Sequence, residues 1–123
     1  GIGAFPSLRR PRVLWLGVRP VAELTALQSH VSRSLEPLGF APDTRPYSPH
    51  VTLARTRGQA GPTQFAGLEA AAQKVSYAAL VSIGSVELMR SHAGRASAHY
   101  EVLRTAALEG SATIEANGKR RID

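Results

Sequence analysis

The chain has 123 residues, enough for one domain with a core of its own, and 43% of them are hydrophobic. It has no cysteine, which excludes disulfides and thiolate metal sites, and no apolar run approaches the length of a membrane span. Its net charge is +6, and 13 of the 15 basic residues are arginine, a bias toward forked contacts with phosphate and compatible with an RNA partner or with a merely basic protein.

Arg12 to Val18 is short, apolar and rich in strand formers, so it is expected to form a mostly buried strand that includes Trp15. Pro20 suits the first turn of a helix. Val21, Leu24, Leu27, Val31, Leu35 and Leu38 then form one apolar stripe, and Gly39 fits the position just past a helix end. Phe40 to Thr44 reads as a connection. The run from Arg45 to Arg55 reads as a strand whose prolines, Pro46 and Pro49, favour an extended lead-in. A loop over Arg57 to Thr63 precedes a second, alanine-rich helix over Gln64 to Lys74. Val75 to Met89 is a long strand-like run with Gly84 marking a break. Ser91 to Ser97 suits a hairpin turn, and Ala98 to Arg104 the returning strand. Residues 109–123 turn polar and basic and are expected to form a loosely ordered tail. The order β-α-β-α-β-β implies an α+β fold, a largely antiparallel sheet with two helices on one face.

The chemistry concentrates at His50 and Thr52. Residues two apart on a strand share a face, so the imidazole and hydroxyl project side by side, about 6–7 Å apart along the backbone. A proton-transfer group next to a hydrogen-bond donor suits work on an anionic oxygen. Val51 and Leu53 face the other way and are expected to pack in a core. The other histidines lack this context. His30-Val31-Ser32 repeats the pattern inside the first helix, where residues two apart diverge by about 200°. His92 falls in the expected turn. His99 opens a strand but has Glu101, not a hydroxyl, two residues on. No pair of ligands has zinc spacing and no phosphate-binding glycine fingerprint occurs, so neither a metal nor another cofactor is expected.

The string Arg45-Pro-Tyr-Ser-Pro-His-Val-Thr-Leu-Ala-Arg55 resembles the second histidine motif of the two-histidine phosphoesterase superfamily, and within it the bacterial RNA 2′,3′-cyclic phosphodiesterases, also called 2′-5′ RNA ligases. Gly3-Ala-Phe-Pro-Ser7 and Arg9-Arg-Pro-Arg-Val-Leu-Trp-Leu-Gly-Val18 resemble the segment before that motif. Val86-Glu-Leu-Met-Arg-Ser91 and His99-Tyr-Glu-Val-Leu103 resemble the closing strands. The resemblance covers residues 1–108, which divides the chain into a phosphoesterase-like domain and the 109–123 tail.

The family carries two H-x-[ST] motifs facing each other across a groove of a bilobal fold, whereas this sequence matches only its C-terminal portion. The resemblance implies hydrolysis of a 2′,3′-cyclic phosphate end of RNA to a 2′-phosphate, with 2′-5′ joining as the reverse reaction and without a metal; a cytoplasmic location is the default expectation. His50 would be the acid or the base and Thr52 a donor to the phosphate. Arg55 matches the arginine that closes the motif, as a phosphate ligand. Parity on a regular strand points Arg55 to the opposite face, unless the strand ends or bulges, and an exposed arginine at a strand end is the plain alternative. Tyr47 either stacks on a base or covers the core edge. The second H-x-[ST] pair is expected from an N-terminal segment, a separate chain or a second copy in a homodimer. A catalytically incomplete RNA- or phosphate-binding module, and an incomplete fragment that folds poorly, are the competing readings.

Overall fold

The computed structural model describes residues 1–58, 61–94 and 98–117. The class is α+β with antiparallel strand pairing. In chain order, strand β1 (Ile2–Ser7) turns into β2 (Arg10–Gly17), helix α1 (Ala22–Leu35) follows, then β3 (His50–Arg55), helix α2 (Leu68–Lys74), β4 (Ala78–His92) and β5 (His99–Asn117). The strands form a three-stranded sheet in the order β1-β2-β3 and a two-stranded ribbon of β4 and β5.

By internal packing the described residues divide into two units, those within 1–81 together with 114–117, and those within 82–113. The first holds the three-stranded sheet, both helices and the last strand residues. The second is the remaining length of the ribbon. There His92 Nε2 lies 2.9 Å from the Glu101 carboxylate and its ring sits 6.3 Å from that of His99.

Several boundaries follow from local chemistry. Helix α1 begins after Pro20 and ends in a 3₁₀ turn over Glu36–Leu38. Gly39 stops it in the left-handed region, φ 91°, where a side chain would be strained, and its N–H bonds the Glu36 carbonyl. Leu24 and Leu27 are half-buried, while Leu38, at the far end of the stripe, is 70% exposed. Helix α2 is shorter than its alanine content suggested. Gly67, at φ 84°, separates it from a 3₁₀ turn over Pro62–Phe65, and proline opens that turn.

Four differences from the sequence reading stand out. An extra strand, β1, precedes the expected first one. Its two neighbouring glycines and Pro6 broke the strand-former pattern that β2 displays so clearly. Gly84 does not interrupt β4, which runs on through Ser91 and His92; of the expected turn, residues 95–97 lie outside the described ones, as do 59–60 of the earlier loop. The strand leading to His50 starts only at that residue, because Pro46 and Pro49 cannot donate to a ladder. Finally, the expected loose tail is strand as far as Asn117, with 118–123 outside the described residues.

The reason for the last correction lies in Thr113-Ile-Glu-Ala116, a polar/apolar alternation inside a polar segment. Ile114 and Ala116 are 7% and 5% exposed, among the most buried side chains. Glu115 points away from them and pairs with Arg19 at 2.8 Å, while Val18 bridges to Ala116. Ile114→Ala is therefore expected to cost about 2–5 kcal/mol, measured by denaturant unfolding. A change under about 0.5 kcal/mol would mean that this end of β5 does not contribute to the core.

Candidate functional site

The site rests on the register of the three-stranded sheet. Residues directly opposite one another in an antiparallel pair share a face. Gly17 pairs with His50, Trp15 with Thr52 and Val13 with Arg55, and on the other side of β2 Trp15 pairs with Gly3 and Val13 with Phe5. One face thus presents Gly3, Phe5, Val13, Trp15, His50, Thr52 and Arg55. The other presents Ile2, Leu16 and Val51 in one row and Ala4, Leu14 and Ala54 in the next.

Arg55 reaches the His50 face because β3 carries one residue more than β2. The register steps from Trp15↔Thr52 to Leu14↔Ala54, which leaves Leu53 without an opposite number. Such a β-bulge shifts the alternation by one. The interval of five between His50 and Arg55, odd and so wrong for one face of a regular strand, becomes right. The bulge that parity required is present, one position earlier than after Ala54. Val51 and Leu53 do not enter a core as expected: each is 49% exposed.

His50 is exposed, and its Nδ1 lies 2.7 Å from the Ser48 carbonyl. A carbonyl only accepts, so Nδ1 carries the hydrogen. The neutral ring therefore has its free lone pair on Nε2. That one bond orients the ring and leaves a single nitrogen for proton transfer. Thr52 and Arg55 are exposed on the same face.

Trp15, expected in the core, belongs to this face instead. Its ring centroid lies 6.1 Å from that of His50 and 5.3 Å from that of Phe5, and Phe5 meets His50 edge-on at 5.2 Å. The indole lies over Gly3, so closely that a Cβ there would stand 2.3 Å from Cη2. A Cβ at Gly17 would meet the same ring at 3.4 Å. Glycine on both flanking positions makes room for the indole, whose plane is tilted 51° to that of the imidazole. Its Nε1–H is buried with no acceptor among the described residues. The recurrence of glycine opposite and beside a tryptophan was the sequence signal for this arrangement, and the aliphatic run around Trp15 masked it.

The lead-in to His50 is held by a local ion pair. Arg45 donates from Nη2 to Asp43 Oδ2 at 2.5 Å and from its backbone N–H to Oδ1 at 3.0 Å. The Arg45 side-chain hydrogen bonds, then its backbone bond, lower the Asp43 carboxyl to about 2. A depressed folded value means the link is intact above the ordinary carboxylate range and is lost as pH falls through about 2. A carboxylate titration followed by NMR should show this. In Arg45→Gln the Asp43 midpoint is expected to return toward 3.8, and an unchanged midpoint would refute the pairing. Tyr47 is 40% exposed, and burial of the rest raises its phenol above the usual value.

His30 is exposed on α1, and His92 and His99 lie on the ribbon. No three His, Cys, Asp or Glu side chains among the described residues are grouped to hold a metal. No helix among the described residues is long and apolar enough to cross a membrane.

The 2′-5′ RNA ligase superfamily profile matches residues 1–95. The chain belongs to that superfamily. It is 49% identical over 59 residues to an RNA 2′,3′-cyclic phosphodiesterase of Aeropyrum pernix, covering 47% of this chain and 34% of the relative. A protein of the same name from Methanothermobacter thermautotrophicus is 34% identical over 91 residues, 74% of this chain and 48% of the relative. Another from Geobacillus stearothermophilus is 42% identical over 55 residues, 45% of this chain and 18% of the relative. The matched stretches thus span between about a fifth and a half of these relatives' length. No solved structure matches the chain significantly.

Proposed function

We propose that this chain supplies one half of the phosphoryl-transfer centre of an RNA 2′,3′-cyclic phosphodiesterase acting in the cytoplasm. The observation that carries the reading is the Leu53 bulge. It sets an arginine on the same exposed face as a histidine–threonine pair, in a member of the 2′-5′ RNA ligase superfamily.

In the reaction a water oxygen attacks the phosphorus of the cyclic ester, the P–O3′ bond breaks, and the 2′-phosphate remains. One group removes a proton from the water and another protonates the departing 3′ oxygen. His50 Nε2 serves one of these steps, its protonation state deciding which, and Nδ1 is already committed to Ser48. The Thr52 hydroxyl donates to a non-bridging oxygen as charge builds there, and Arg55 meets phosphate with a forked pair of donors. Tyr47 is placed in the lead-in to His50, where a base could stack on it. The second histidine comes from an N-terminal segment or a second copy of the chain. The same attack made by a 5′-hydroxyl in place of water breaks the P–O3′ bond and leaves a 2′-5′ linkage.

The test is turnover of a 2′,3′-cyclic nucleotide by the parent chain and by Thr52→Val, with sedimentation at assay concentrations. Removing one oxyanion donor is expected to lower kcat by about 10²–10³-fold. Equal turnover in the two proteins would remove Thr52 from the site. Salt-sensitive RNA binding without turnover in either protein would instead identify a binding module. Activity from strictly monomeric chains would exclude the second-copy arrangement.

A further inference from the structure

We infer that the end of the sheet where β1 turns into β2 binds the backbone phosphates of the RNA upstream of its cyclic end, with Arg10 and Arg12 as the principal contacts. The inference rests on reading His50 and Thr52 as the site of the terminal phosphate, and it adds a direction to that site.

The two ends of the site face differ in charge. At the His50 end both nearby arginines are engaged: Arg45 with Asp43 at 2.5 Å, and Arg19 with Glu115 at 2.8 Å. At the other end, the Thr56 N–H and hydroxyl bond the Arg12 and Pro11 carbonyls at 3.1 and 2.9 Å, which ties the start of β2 to the end of β3. This brings Arg9, Arg10 and Arg12 to the end that carries Arg55. Among the described residues a single carboxylate answers them, Glu69, at 3.9 Å from Arg9, with both side chains more than half exposed. Arg10, Arg12 and Arg55 are exposed and have no carboxylate at ion-pair distance among the described residues.

An exposed arginine already bonded to a carboxylate has little left for a phosphate, whereas an unengaged one gains by displacing counterions. β3 from His50 to Arg55 spans about 16 Å at the ordinary strand rise, so a phosphate held at Thr52 lies between its two ends, and Arg55 reaches it from the side away from His50. A polynucleotide anchored at His50 and Thr52 therefore runs along β3 toward Arg55 and the β1–β2 turn, not toward Arg45. Arg55 stands where the terminal phosphate gives way to its neighbours.

The test is equilibrium binding of two single-stranded RNA oligonucleotides of one length, one ending in a 2′,3′-cyclic phosphate and one in a plain 3′-hydroxyl, across a salt series. Single-stranded contacts contribute about 0.7 each to the slope of log K against log salt. Arg10→Gln/Arg12→Gln is expected to flatten that slope by about 1.4 for both oligonucleotides. Arg10→Lys/Arg12→Lys, which keeps the charge, retains the slope, and so does Arg45→Gln at the opposite end. The slope change with the plain 3′-hydroxyl RNA needs no turnover, so the inference can hold where the phosphodiesterase reading fails. It is overturned if the glutamine variant keeps the parent slope, if Arg45→Gln flattens it equally, or if the parent chain binds neither RNA.

Discussion

Replacing His50 with alanine is expected to reduce turnover of a 2′,3′-cyclic nucleotide by about 10²–10⁴-fold, the range for loss of a positioned proton-transfer group. The loss should fall on kcat more than on KM, because Nε2 acts on a proton in flight while Thr52 and Arg55 remain to hold the phosphate. Folding should be nearly unaffected: His50 is exposed, and its one hydrogen bond, to Ser48, lies at the start of a strand. His30→Ala provides the matched control. It removes a histidine from the same short pattern, His-Val-Ser on α1, whose two side chains diverge and which lies outside the site face. If both variants lose activity equally, or neither does, His50 has no chemical role.

The second large effect is expected from a residue with no side chain. Gly3→Ala places a Cβ 2.3 Å from the indole of Trp15, a separation that real structures do not tolerate, and the nearest atoms belong to a rigid ring rather than a flexible tip. Overpacking of this kind costs about 1–3 kcal/mol. The indole can only move away from Gly3, off the sheet, where His50 and Phe5 lie against it. The variant should therefore lose activity as well as stability, with every polar group of the site intact. Trp15 is the only tryptophan in the sequence, so its fluorescence reads the displacement directly. A variant with parental stability, emission and turnover would show that the indole does not rest on Gly3.

What was legible in the sequence, and what was not, divides along physical lines. Helix α1 was clear because its apolar stripe and closing glycine are properties of a single element, and the His50–Thr52 pair was clear because alternation on a strand is local. Three things depended on a partner strand. The Leu53 bulge exists only relative to β2, so the residues could pose the parity question about Arg55 without answering it. Trp15 sits on the site face because of its pairing with Thr52, while its own neighbours, Leu14 and Leu16, are those of a core strand. The end of β5 was hidden by the polar residues around Ile114 and Ala116, whose burial follows from contacts outside that segment.

The unmatched Leu53 also changes how related sequences should be searched. Spacing alone is not the invariant. A chain with arginine four places after the histidine, on an uninterrupted strand, would display the same three side chains toward a nucleotide as this one does at five. Conversely, ironing out the bulge while keeping the five-residue interval would leave every functional letter in place and turn the guanidinium to the far side. Homologues of either length can thus be functionally equivalent, provided the extra position and the odd interval are gained or lost together.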